Sequence, residues 1–158
     1  MTRNPNLQLI QYKILHRVHY TGQRLFKMGF AQSNICPQCT GNQLDNYFHA
    51  LWLCTPVQRF WVQVCKDLSL CLGCKIPISP PVCLLGDFEG SSMGKKSVCM
   101  AFTALCIAKK TILMNWKSKD KLNINQYRDL LLDHINLETA SASPSDRSLW
   151  APLIDSIT

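Results

Sequence analysis

Four residues between positions 36 and 54 constrain this chain more than any others. Two residues separate Cys36 from Cys39, nine separate Cys39 from His49, and four separate His49 from Cys54. Two thiols at that spacing can meet one ion from a tight turn, which Pro37 helps to form, and the His-x4-Cys pair supplies two further donors. Three thiolates and one imidazole fill a tetrahedron and leave no position for water. The spacing therefore predicts one structural zinc ion bound by Cys36, Cys39, His49 and Cys54. The segment from Ser33 to Asp45 is rich in Asn, Pro, Gly, Thr and Gln, which is loop chemistry. It has too few apolar side chains to order itself, and a metal would do so.

The remaining thiols read differently. Nine cysteines, an odd count, fit a fully paired extracellular framework poorly. The first apolar stretch, from Leu7, is broken by Lys13, His16, Arg17 and His19 and has no small-residue cleavage site. The expectation is a reducing, intracellular setting, nucleus or cytoplasm. Cys71-x2-Cys74 is a rival pair without a nearby His. Buried thiols are the simpler reading for it, and a second all-cysteine site drawing on Cys83 and Cys99 is the alternative. Cys65 and Cys106 fall in helical patterns and read as small core residues. No sequence signature supports a thiol nucleophile, and no convergent acid–base set is visible. A non-catalytic protein without a small-molecule substrate is expected.

The periodicity is helical almost throughout, and 158 residues at 47% hydrophobic suit one domain with a core. Leu7, Ile10, Ile14, Val18, Leu25 and Met28 recur at helical spacing, with a break at Thr21-Gly22, where Thr21 can cap a short second helix that Gly29 ends. Thr55 reads as an N-cap and Pro56 as the first residue of a helix burying Val57, Phe60, Trp61, Val64 and Leu68. From Gly73 to Gly94 prolines and glycines predict a connector, extended around Val82 to Leu85. A long helix is expected from about Ser97 to Lys117, central to the fold, with a stripe of Val98, Phe102, Leu105, Ile112 and Trp116. Lys109 falls inside that stripe and Lys110 and Lys117 on its flank. Asn123 or Asn125 caps a last helix that faces Tyr127, Leu130, Leu131, His134 and Ile135 inward. Thr139 to Ser148 reads as a linker, followed by a short helix with Trp150, Leu153, Ile154 and Ile157. No uninterrupted apolar run approaches the roughly 20 residues of a membrane span. The fold class expected is mostly α, a small helical domain built around a CCHC zinc knuckle at 33–55.

The formal charge is +7 and unevenly placed. Arg3, Lys13, Arg17, Arg24 and Lys27 precede the first acid, Asp45. A second block, Lys95, Lys96, Lys109, Lys110, Lys117, Lys119 and Lys121, is opposed within it only by Asp120. Clustered charge of one sign favours a polyanionic partner, RNA or DNA. Lys13, Arg17, Arg24, Lys27, Lys109, Lys110 and Lys117 are the candidate contacts. For Lys109 the competing reading is a stem packed in the stripe with its ammonium reaching water. Tyr20, Phe26 and Phe30, interleaved with Arg17, Arg24 and Lys27, are candidates for stacking on bases. Trp52, Phe60 and Trp61 lie on core-type stripes instead.

The run Tyr12 to Arg17, then Thr21, Leu25 and Met28-Gly29, then the four candidate ligands and Phe60-Trp61, resembles the zinc-binding region C-terminal to the polymerase of LINE-type (non-LTR) retrotransposon reverse transcriptases. Ile107 to Lys110, Asn115 to Lys117 and Tyr127-Arg128 are similar to the helices that follow the knuckle there. The resemblance spans Asn4 to about Glu138, and gives a domain at 1–138 with a linker and short helix at 139–158. It implies the same four metal ligands and a role in gripping template RNA or target DNA. The alternative expectation is a structural interaction module whose apolar and basic faces dock a polymerase domain supplied by another chain. No paired-aspartate polymerase motif and no endonuclease is present in this sequence.

Overall fold

Asn4 starts the first helix by a simple exchange: its Oδ1 accepts the N–H groups of Asn6 and Leu7 at 2.9 and 3.4 Å, and Pro5 takes the first turn, where no N–H is needed. The structure, a computed structural model, describes residues 4–118, 122–140, 150–151 and 154–155. Five α-helices have both ends within these residues: α1 (Pro5–Leu15), α2 (Gly22–Lys27), α3 (Thr55–Leu72), α4 (Lys95–Asn115) and α5 (Ile124–Ala140). Single π-helical turns occupy His49–Leu53 and Pro81–Leu85. Among the described residues the only extended pairing is one antiparallel bridge, Ile35 to Leu44. The mostly helical class expected from periodicity is what the chain adopts.

Helix α4 is the hub. Helices α1, α3 and α5 and both π turns pack on it, and its buried residues run almost all round, from Met100 through Ala104, Cys106 and Ala108 to Ile112. Small side chains at Ala101, Ala104, Cys106 and Ala108 let several helices approach at once. By length and composition α4 would suffice to cross a membrane (21 residues, mean hydropathy 1.5), but 61% of its apolar window is buried within this fold. Its lysines and threonines hid that property from a search for uninterrupted apolar runs.

Helix α3 buries the stripe expected of it: Val57, Phe60, Trp61, Val64 and Leu68. Phe60 meets Tyr127 of α5 edge-on at 5.9 Å and Trp61 at 6.2 Å, contacts each worth about 0.5–1.5 kcal/mol beyond burial. The Trp61 indole donates to the Leu51 carbonyl at 3.0 Å, which ties the first π turn to α3. Helix α5 starts at Asn123, whose Oδ1 accepts the Asn125 N–H at 2.9 Å. It buries Tyr127, Leu131, His134 and Ile135.

Local expectations fail in four places. Helix α1 ends at Leu15, and Val18 and Met28 are exposed; the chain leaves the helix through Arg17 (φ +50°), so the stripe loses its phase. The N-cap of α3 is Cys54, with extended backbone and a carbonyl accepting the Gln58 N–H at 2.9 Å. Thr55 and Pro56 are already helical. Val82 to Leu85 is helical rather than extended: Ser79 O accepts the Cys83 N–H at 2.8 Å, and Gly86 (φ +73°) closes the turn onto the carbonyls of Pro81 and Val82. A Cβ at Gly86 would run into the Phe102 ring, so any other residue there must displace that ring as well as hold a left-handed φ. Finally, α5 continues through Thr139 and Ala140. The rest of the expected linker, 141–148, lies outside the described residues, as do Arg3, Lys119, Asp120, Lys121, Leu149, Leu153 and Ile157. Trp150 is helical and buried, and Ile154 packs against the core.

Candidate metal centre

The loop between α2 and the first π turn is held by very few contacts of its own. Cys36 N–H donates to Gln43 O and Asp45 N–H to Asn34 O, both at 2.8 Å, around the Ile35–Leu44 bridge. Ile35 and Leu44 themselves are exposed. Cys36 leaves this bridge and is followed by the Pro37 turn, in which the Gln38 N–H points at the Cys36 sulfur at 3.4 Å.

His49 and Cys54 are brought together by the π turn. Residues five apart on an α-helix point roughly 140° away from each other. Here the Cys54 N–H closes an i→i+5 bond onto the His49 carbonyl at 2.9 Å, and the wider turn returns both side chains to one side. Asn46 starts it, its Oδ1 accepting the His49 N–H at 2.8 Å.

The four side chains converge. Cys36 Sγ lies 3.8 Å from Cys54 Sγ, Cys39 Sγ lies 3.5 Å from His49 Nε2, and all four donor atoms fall within 4.8 Å of one another. Cys36, His49 and Cys54 are buried and Cys39 is half-buried. The cluster can hold a metal ion. Burial pushes the Cys36 thiol up, and burial and then its thiol neighbours do the same to Cys54. Three thiolates packed this closely repel one another, and a cation in their midst reverses the balance.

Two residues that spacing did not single out fix the cluster to the helices. Gln38 Nε2 donates to Asn115 O at 3.0 Å, at the end of α4. Asp45, 1% exposed, accepts from the Gly22 N–H at 2.7 Å and from the Trp116 indole at 3.0 Å. Burial pushes its carboxyl up, against those two hydrogen bonds and the nearby His49. The only sequence signal for Asp45 is its place as the first acid in a basic half.

Among the described residues, no cluster of three or more metal-ligating side chains includes Cys71 or Cys74. Cys65 and Cys106 are buried, as their helical positions suggested.

The basic candidates separate. Arg17, Arg24 and Lys27 are exposed and line one cleft, while Lys13 on α1 is half-buried and outside that lining. Lys110 is half-buried on α4. Lys117 lies just past the end of that helix, its ammonium 5.2 Å from the Trp116 ring centre. Lys109 requires correction. It is wholly enclosed, donating to Gln11 Oε1 and, at 3.1 Å, to Leu84 O, with the Phe102 ring 5.5 Å away. No phosphate reaches an enclosed ammonium, and neither does water. Tyr20, Phe26 and Phe30 are exposed, whereas Phe60 and Trp61 are core and Trp52 is half-buried.

A comparison of the chain with models of known protein families and with curated proteins finds no match.

Proposed function

We propose that Cys36, Cys39, His49 and Cys54 bind one structural zinc ion, and that the helical domain they steady holds nucleic acid without catalysing a reaction. The carrying observation is a pair of distances. A tetrahedral zinc ion with bonds near ~2.3 Å to sulfur and ~2.0 Å to nitrogen needs S···S edges of about 3.8 Å and S···N edges of about 3.5 Å. Cys36–Cys54 and Cys39–His49 have those separations, 3.8 and 3.5 Å. Three thiols and an imidazole, mostly buried, suit zinc's borderline softness and a closed site.

The polyanion part is supported by the exposed Arg17, Arg24 and Lys27 lining one cleft, with Arg24 against the exposed Tyr20 ring, and by the resemblance to the tail of LINE-type reverse transcriptases. RNA and DNA are both candidate ligands, in the nucleus or cytoplasm. Metal analysis of protein purified without added zinc should find about one equivalent, and Cys39→Ser should abolish it. Fluorescence titration against RNA and DNA should show affinity falling steeply with salt. Salt-independent binding, or none at micromolar protein, removes the nucleic-acid reading.

A second reading is a module that docks a polymerase domain. It is favoured by an open groove of about 800 Å³ beside α3, lined by the exposed Val62, Leu70 and Ile78 together with Lys66 and Lys75. Co-purification with a reverse transcriptase by a protein that binds no nucleic acid would select it.

A further inference from the structure

Between the end of α1 and α2 lies a cleft of about 190 Å³ whose lining includes Arg17, His19, Gln23, Arg24, Lys27 and Tyr47. No carboxylate lines it, and none of its three permanent cations joins an ion pair among the described residues. The Arg24 guanidinium sits 5.4 Å from the centre of the exposed Tyr20 ring. Phe26 is exposed on α2, and Phe30, just beyond it, is 75% exposed. An open apolar ring of that size gains nothing for the fold by being there.

Arg17 supplies an independent observation. Its φ of +50° lies in the left-handed region, where a side chain crowds its own backbone. It closes α1: the Val18 N–H returns to Lys13 O at 3.0 Å and the Arg17 N–H to Ile14 O at 3.1 Å. That closure ordinarily selects glycine. Here an arginine holds the position against backbone preference, and its side chain lines the cleft. Strain of this kind collects at binding sites.

We infer that the cleft is a phosphate subsite for single-stranded nucleic acid, with Tyr20, Phe26 and Phe30 offering ring faces to unpaired bases. The inference rests on the nucleic-acid reading above and specifies strand state and residues. Planar guanidinium forks match phosphate oxygens in pairs. Stacking on protruding rings needs bases free of a duplex partner.

The test uses the metal-loaded full chain, a labelled oligothymidylate of roughly 15 nucleotides, and a duplex of the same length. Arg17→Gly should weaken single-strand binding roughly three- to tenfold and lower the salt slope by about one. Its thermal midpoint should hold or rise, because glycine relieves the backbone. A purely structural arginine would lower the midpoint and spare the slope, and that result overturns the subsite. Arg24→Gln, on the exposed surface, should show the same loss, and Phe30→Ala should cost about fivefold or more. Equal losses for Lys110→Gln, or a duplex bound as tightly as the single strand, overturn the subsite while leaving general binding intact. Failure of the unmodified protein to bind either probe at low salt overturns the nucleic-acid reading itself.

Discussion

The carboxylate of Asp45 accepts a hydrogen bond from the indole of Trp116 at 3.0 Å, joining the loop that carries Cys36 and Cys39 to the end of α4. The same oxygen takes the Gly22 N–H at 2.7 Å, so one buried side chain gathers α2, the loop and α4. Asp45→Ala strands two donors and should cost about 2–4 kcal/mol, whereas Trp116→Phe should cost about 1–2 kcal/mol. Denaturant unfolding of the two variants and their combination should give a coupling of roughly 1–3 kcal/mol. Additive losses would show that the bond contributes nothing.

On the proposal that the cluster binds zinc, removing the metal should loosen the loop before the helices. With Ile35 and Leu44 exposed, that loop has no core of its own. Chelation should abolish hydrogen-exchange protection at the Cys36 and Asp45 amides while those of Trp61 and Ile135 persist. Because burial raises the Cys36 and Cys54 thiols, metal uptake must release protons. Affinity should therefore fall as pH falls, measurable by competition with a chromogenic chelator. Pan-molecular unfolding on chelation would contradict the local account.

Lys109 and Gln11 should behave asymmetrically. Lys109→Met leaves Leu84 O with its bond from Gln11 Nε2 (3.1 Å), and should cost about 1–3 kcal/mol. Gln11→Leu strands a buried ammonium on one carbonyl and should cost more, about 3–5 kcal/mol. The double variant should recover part of that loss. Equal single costs would overturn the assignment of Gln11 as the partner of the charge.

The same lysine makes stability depend on pH. Burial holds its pKa below the ordinary 10.5, so between the two values the unfolded chain binds more protons and stability rises with pH. Lys109→Met should lack that rise, seen as the difference between the two stability–pH curves. Parallel curves would mean that Lys109 is not neutralised within the fold.

Gly86→Ala should destabilise by about 2–4 kcal/mol. The φ of +73° and the Phe102 ring both oppose a Cβ there. Gly73→Ala, with φ +62° and open space, should cost about 1 kcal/mol. Comparable thermal midpoints for the two would show that Phe102 yields.

The α3 stripe, the central place of α4 and the four converging donors were legible because each follows from spacing within one stretch of chain. Periodicity and ligand intervals are local properties, and chain geometry converts them directly into shared faces. Lys109 was not legible. Its partner Gln11 lies 98 residues away, and only the packing of α1 and the Pro81–Leu85 turn on α4 encloses it. The π turn uniting His49 and Cys54, the left-handed Arg17 and the anchoring Asp45 were likewise decided by tertiary structure. Helical propensity cannot tell an i→i+4 turn from an i→i+5 one, nor show where a distant donor will meet a carboxylate. Intervals along the chain chose which side chains could meet; enclosure by distant helices settled which charges keep contact with water.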